Sequence, residues 1–160
     1  MTIRFALLGA GRIGKVHARA VTSNPAAKLV AVADAMAQAA KDIAAQYGCE
    51  VRTIEQIASA SDIDAVVICT PTDTHADLIE TFSNAGKAIF CEKPIDLSVK
   101  RVRECLAVVD KNKTKLMVGF NRRFDPHFMA VRAAIDAGEI GEVEMVTIVS
   151  RDPAPPPVDY

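Results

Sequence analysis

Six residues near the amino terminus, Gly9-Ala10-Gly11-Arg12-Ile13-Gly14, have the GxGxxG spacing with which a backbone can hold a pyrophosphate. In such a turn the first glycine allows the bend and the second lets the main chain approach the phosphates. The third lets the following helix lie close to the preceding strand. The amides of the first helical turn, here Arg12, Ile13 and Gly14, then face the negative charge. The spacing alone is a weak signal, and its context strengthens it. The apolar run Ile3–Leu8 precedes the glycines, a helix-like segment follows them, and Asp34 stands 20 residues after Gly14 at the end of the next apolar run. A carboxylate there accepts hydrogen bonds from an adenosine ribose, a contact of about 1.5–3 kcal/mol. Ala35 and Met36 follow it where an arginine would be needed to receive a 2′-phosphate, so NAD is expected over NADP.

Two further groups end apolar runs. Thr70-Pro71-Thr72-Asp73-Thr74-His75 follows Ala65–Cys69, and Glu92-Lys93-Pro94 follows Ala88–Cys91. In open α/β sheets, ligands bind outside the carboxyl ends of strands, so both belong to the expected ligand edge. A lysine between Glu92 and Pro94 brings a charge to that edge, and a plain surface role is its alternative. Of the three histidines, His17 reads as a packing or capping residue of the first helix and His127 as a surface or interface residue. His75 is either a contact near the cofactor or a helix-start residue.

The elements that must position these groups are strands and helices in alternation. Ile3–Leu8, Leu29–Ala33, Ala65–Cys69, Ala88–Cys91 and Leu116–Val118 are strand candidates, with a weaker one at Cys49–Val51. They are apolar nearly throughout, as parallel strands covered on both faces should be. Helices are expected from Arg12 to about Ser23 and from Met36 to Tyr47 before Gly48. Thr53 with Gln56 reads as a capping box, and Thr74 as the cap of a helix to Asn84. Ser98 should cap another whose buried stripe is Val99, Val102, Leu106 and Val109. The fold class is therefore α/β, a doubly wound parallel sheet of the Rossmann type. After Gly119 the pattern changes: an amphipathic helix from Asp125 to Ala137, a strand over Glu142–Arg151, and then Pro153, Pro155, Pro156 and Pro157. Residues 1–121 are expected to form the NAD-binding domain and 122–160 the beginning of a second α/β domain.

The 160 residues are enough for one core, and 19 Lys+Arg against 20 Asp+Glu provide no basic face for nucleic acid. No apolar stretch approaches a membrane span, and the residues before the first strand are not expected to act as a leader. Four cysteines, Cys49, Cys69, Cys91 and Cys105, lie far apart without metal-ligand spacing, which suggests core thiols of a reducing, cytoplasmic compartment and no metal site.

The fingerprint at Gly9–Gly14, Asp34, Thr70-Pro71-Thr72 with His75, Glu92-Lys93-Pro94, Gly119-Phe120-Asn121-Arg122-Arg123-Phe124-Asp125 and the tail Ser150–Pro157 together resemble the Gfo/Idh/MocA oxidoreductases. The likeness covers essentially the whole chain. It implies a Rossmann domain joined to a second α/β domain with a large open sheet, and hydride transfer from a secondary alcohol of a cyclic polyol or sugar to NAD without metal. The expected substrate is myo-inositol, oxidised to 2-keto-inositol, with another sugar or polyol as the alternative. It further implies that Lys93 hydrogen-bonds the reacting hydroxyl, that Arg122 and Asp152 lie near substrate, that Thr70 and Pro71 flank the cofactor, and that Glu92 lies near the nicotinamide. Full-length members are homo-oligomers, typically tetramers. The family's proton acceptor is a histidine beyond the proline-rich tail, so this chain is expected to be an N-terminal portion with little turnover of its own. A dinucleotide-binding module without catalysis is the competing reading.

Overall fold

A computed structural model of the chain describes residues 1–151 and 154. It divides into two compact units, Met1–Phe120 and Asn121–Tyr160.

In the first unit, β1 (Ile3–Leu8) leads to α1 (Arg12–Thr22), β2 (Ala27–Ala33), α2 (Ala37–Tyr47) and the short β3 (Glu50–Val51). Then follow α3 (Ile54–Ser59), β4 (Ala65–Ile68), a 3-10 turn (Thr72–Thr74), α4 (His75–Asn84), β5 (Ala88–Cys91), α5 (Val99–Asn112) and β6 (Leu116–Val118). The six strands lie in the order β3-β2-β1-β4-β5-β6 and every pairing is parallel. This is the expected doubly wound sheet, and its winding reverses between β1 and β4.

Because strand side chains alternate, β1 feeds two cores. Leu7 joins Ala18, Val32, Ile43 and Val67 on the face of α1 and α2. Ala6 and Leu8 join Val66, Ile79, Phe82, Cys91 and Cys105 on the face of α4 and α5. Burial on both faces explains why these strands read as unbroken apolar runs. The register aligns their ends. Leu8 stands opposite Ala33 and Ile68, Ile68 opposite Cys91, and Cys91 opposite Val118. Each of these is the last residue of its strand, so the segments after them open along one edge.

Several sequence expectations shift. β2 starts at Ala27, β3 at Glu50, and β4 ends at Ile68. The Thr53–Gln56 capping box forms as read, and Ser98 caps α5. Thr74 does not cap α4: its hydroxyl donates to the Pro71 carbonyl at 2.7 Å and lies 2.7 Å from Thr70 Oγ1, because the preceding residues coil into a 3-10 turn. On α5 the buried positions are Cys105 and Val109, whereas Val99 (67% exposed) and Leu106 (36%) face out. Those two positions lie about 80–100° round the helix from the midpoint of Cys105 and Val109, at about 100° per residue, and apolarity alone did not distinguish the sides.

In the second unit a 3-10 turn (Asn121–Phe124) precedes α6 (Pro126–Asp136), whose Asp125 caps the amides of His127 and Phe128. The expected strand over Glu142–Arg151 is absent; that segment has no regular structure. Its β-branched residues favour a strand only where another strand supplies hydrogen bonds, and the described residues of this unit include none. Pro153, Pro155, Pro156 and Pro157 lie outside the described residues. No helix among the described residues is long and apolar enough to cross a membrane.

At the opposite end of the sheet from the strand-end edge, Asp64 accepts bonds from Arg4 N (2.8 Å), Nε (2.9 Å) and Nη2 (2.7 Å, to its other oxygen). The Arg4 side chain, and then its backbone amide, pull the Asp64 carboxyl down to about 2. An unfolded aspartate titrates near 3.9, so the contribution of this group is complete above about pH 4 and disappears as pH falls through about 2. Asp64→Asn should therefore lower the melting temperature near neutral pH, and the gap from the parent should close between about pH 4 and 2. A gap that stays constant over that window would show that the ion pair is not its source.

Candidate functional site

The strand-end edge gathers the candidate residues of the first unit. Gly9, at φ +92°, turns the chain out of β1, and its amide donates to the Ala33 carbonyl at 2.8 Å. A Cβ on Gly9 would lie 2.5 Å from the Cys69 carbonyl oxygen, so the glycine turn runs directly against the segment after β4. Gly14 sits where a Cβ would fall 2.0 Å from the Gly9 carbonyl oxygen, which places α1 hard against the turn. Gly11 differs: a Cβ there would meet nothing within 4 Å. It is the N-cap of α1, with no side-chain cap and no acid in the first turn, so the amides of that turn face open space over the loop. That space, bordered by amides and a helix N-terminus, fits a pyrophosphate. Arg12 is exposed at its rim and Ile13 is half-buried.

Asp34 follows β2 and faces the same loop. Its Oδ2 accepts from the Ala10 amide (2.6 Å) and its Oδ1 from the Met36 amide (2.7 Å). A carboxylate has about four acceptor sites, so two remain for ribose hydroxyls. The sequence suggested the ribose contact; the bond that braces the glycine loop through Ala10 emerges only from the fold.

Thr70 and Pro71 follow β4, and the Thr70 hydroxyl is hydrogen-bonded to that of Thr74 at 2.7 Å. The His75 side chain is buried (2% exposed), with Nδ1 2.8 Å from the Pro94 carbonyl oxygen and Nε2 2.8 Å from that of Thr70. Each ring nitrogen thus faces a backbone carbonyl, and the ring lies between the segments that follow β4 and β5.

Glu92 and Lys93 follow β5. Glu92 Oε1 accepts from His17 Nε2 at 2.8 Å, and the His17 ring lies against Phe90 with centroids 4.9 Å apart. A Cβ on Gly119 would come within 3.0 Å of Phe90 Cζ and 3.2 Å of Glu92 Oε1, so this position leaves room for both. The His17–Glu92 pair escaped sequence reading, although one signal existed: His17 is three residues after Gly14, the helix position that must face the sheet. Lys93 is exposed, and among the described residues it has no hydrogen-bonding or ion-pair partner. The Lys93-Pro94 bond is cis.

The thiols are unsuited to chemistry here. Burial pushes Cys69 and Cys91 up to about 12 and Cys105 to about 11, leaving little nucleophilic thiolate. All four cysteines are unpaired. Among the described residues no group of three His, Cys, Asp or Glu side chains is placed to hold a metal ion. An open apolar recess of about 560 Å³ lies at the other end of the sheet, lined by Ile3, Phe5, Ala88 and Met117 among others, none of them a candidate residue.

In the second unit Arg122 stacks over the Phe128 ring, 5.2 Å from its centroid, and lies 3.8 Å from Asp125. His127 is exposed near the start of α6. Asp152 lies outside the described residues.

Comparison with known proteins gives the following. Residues 3–120 match the family described as "Oxidoreductase family, NAD-binding Rossmann fold". An inositol 2-dehydrogenase from Rhizobium meliloti (strain 1021) is 76% identical over 160 residues, 100% of this chain and 48% of that protein. The crystal structure of a myo-inositol dehydrogenase from Corynebacterium glutamicum superposes with a TM-score of 0.93 at 45% identity, covering 100% of this chain and 48% of that one. A scyllo-inositol dehydrogenase from Lactobacillus casei, solved with bound NAD(H) and scyllo-inositol, superposes at 0.84 with 33% identity over 89% of this chain and 43% of that one. The chain thus spans about half the length of the relatives it matches.

Proposed function

Because the chain belongs to the Gfo/Idh/MocA oxidoreductase family, with its NAD-binding Rossmann fold, we propose that it supplies the cofactor domain and Lys93 of an NAD-dependent polyol dehydrogenase. The reaction is oxidation of one secondary alcohol of a cyclic polyol, myo-inositol before others, to the ketone. The observation that carries this reading is the edge itself: an open amide cradle over Gly11, Asp34 at its side, and an unpartnered lysine on the next strand end but one. Names of relatives 76% and 33% identical to the chain point to inositols as the substrate class.

The cradle would hold the pyrophosphate of NAD and Asp34 its adenosine ribose. Bound there, NAD would supply the acceptor for the hydride that leaves the alcohol carbon. The Lys93 side chain reaches the hydroxyl on that carbon and stabilises the negative charge that develops on its oxygen as the proton leaves. Thr70 and Pro71 flank the cofactor, Glu92 keeps its place through His17, and Arg122 and Asp152 border the substrate. His17 and His75 are committed to Glu92 and to backbone carbonyls, so neither serves as the proton acceptor. That role falls to a histidine outside these 160 residues, and the chain alone binds NAD with little turnover.

Residues 1–121 are assigned to the cofactor domain and 122–160 to the start of the substrate domain, a division supported by the change of unit after Phe120. Four unpaired thiols support a reducing, cytoplasmic setting. The full-length protein is read as a homo-oligomer, with neither nucleic acid nor membrane among its partners.

A protein extended to the length of its relatives should form NADH from NAD and myo-inositol. Failure with every cyclic polyol would overturn the activity, and turnover of other polyols alone would overturn the substrate. Asp34→Ala should weaken NAD binding about 10- to 100-fold, the loss of a charge-assisted bond of about 1.5–3 kcal/mol, and should narrow the preference over NADP. Titration calorimetry of the 160-residue chain with both nucleotides measures this. Unchanged NAD affinity would place the ribose elsewhere.

A further inference from the structure

We propose that His75 is a positioning residue for Lys93: its ring bridges the carbonyls of Pro94 and Thr70 and so fixes the turn that carries the lysine against the loop after β4. This rests on the role given to Lys93 above. The backbone between β5 and α5 has few other restraints. The Glu92 amide is tied to the Ile68 carbonyl (3.0 Å) at one end, and the Ser98 amide to Asp96 Oδ1 (2.8 Å) at the other. Between them Pro94 has no amide hydrogen to donate, and among the described residues the hydrogen bond reaching the backbone of residues 93–95 is the one from His75. Ile95 packs on the core beyond it, which anchors the turn's far side without setting the direction of Lys93.

The bridge is itself well supported. His75 opens α4, is buried, and contacts two carbonyls 24 residues apart in the chain, each at 2.8 Å. A carbonyl oxygen only accepts, so the ring must donate to each: either neutral tautomer makes one of the two bonds and the imidazolium makes both. A second histidine restrains the other flank, since His17 holds the Glu92 side chain at 2.8 Å. The lysine is thus without a partner at its tip among the described residues and held at its base, the arrangement that suits a group required to meet one hydroxyl. A displacement of about 1 Å at such a group costs on the order of 100-fold in rate.

The test is a double-mutant cycle in a full-length protein carrying this chain, assayed with NAD and myo-inositol. His75→Leu should lower kcat about 10- to 100-fold with the Kd for NAD unchanged within about threefold. His75→Gln, whose amide can still donate to one carbonyl, should recover part of the loss and provides the same cycle if the leucine variant does not fold. In a Lys93→Met background either substitution should cost nothing more, because its effect passes through the lysine. Losses that multiply in the double variant would mark His75 as a separate structural element and overturn the proposal. So would a higher Kd for NAD at unchanged kcat, the behaviour of a cofactor contact. If Lys93→Met removes activity while both His75 variants keep kcat, this proposal alone fails. If Lys93→Met keeps full activity, the role of Lys93 fails and the proposal falls with it.

Discussion

Replacing Gly14 with alanine should weaken NAD binding and destabilise the cofactor domain, whereas the same change at Gly11 should weaken binding alone. The new methyl at position 14 would sit 2.0 Å from the Gly9 carbonyl oxygen and 2.9 Å from its carbon. Both are backbone atoms, so relief requires α1 to move off β1 or the turn to rebuild. The expected cost is about 3 kcal/mol, a drop in melting temperature on the order of 10 °C. At Gly11, φ is −69° and a Cβ meets nothing within 4 Å, so the fold accepts alanine without strain. The methyl instead occupies the space where phosphate oxygens must approach the amides, and the Kd for NAD should rise at least about tenfold at unchanged melting temperature. Calorimetry and thermal unfolding on the two variants separate the effects. Normal NAD binding by Gly11→Ala would mean that the pyrophosphate does not lie over this loop.

Lys93→Met in the full-length protein should lower kcat by about 10²–10⁴-fold, the range for loss of a group that assists proton removal at the reacting atom. The fold should not register the change. Lys93 is exposed and lacks a partner among the described residues, and surface substitutions of that kind stay within about 0.5 kcal/mol. NAD affinity should also hold, since the cradle and Asp34 are formed by other strand ends. Steady-state kinetics beside an NAD titration measures both. A rise in KM for the polyol with kcat intact would make Lys93 a binding group only.

Most of the fold was legible because its signals are local. Unbroken apolar runs mark strands buried on both faces, and Thr53 with Gln56 or Gly48 after Tyr47 mark helix ends through bonds made within one turn. The misreadings were of two kinds. Val99 and Leu106 are apolar and helical but lie on the margin of α5, and which margin is buried depends on the neighbouring helix. Glu142–Arg151 has strand-forming residues without a strand to pair with. At the site, the glycine turn, Asp34 and the Glu92-Lys93-Pro94 segment could be read from type and spacing, since each function belongs to one short segment and its place at a strand end.

The sequence by itself determined the alternation of elements, the cofactor turn and the chemistry-bearing residue types, all set by interactions within a few residues. Only the tertiary structure decided what the histidines do. His17 meets Glu92 across 75 residues, and His75 meets Pro94 across 19. Those partners become neighbours through the β1-β4-β5 order and the level register of the strand ends. Hydrogen bonds between groups so distant in the chain depend on where the sheet brings them, and sheet order is a cooperative outcome of the whole core. The two histidines are, for that reason, braces for the segment Glu92-Lys93-Pro94.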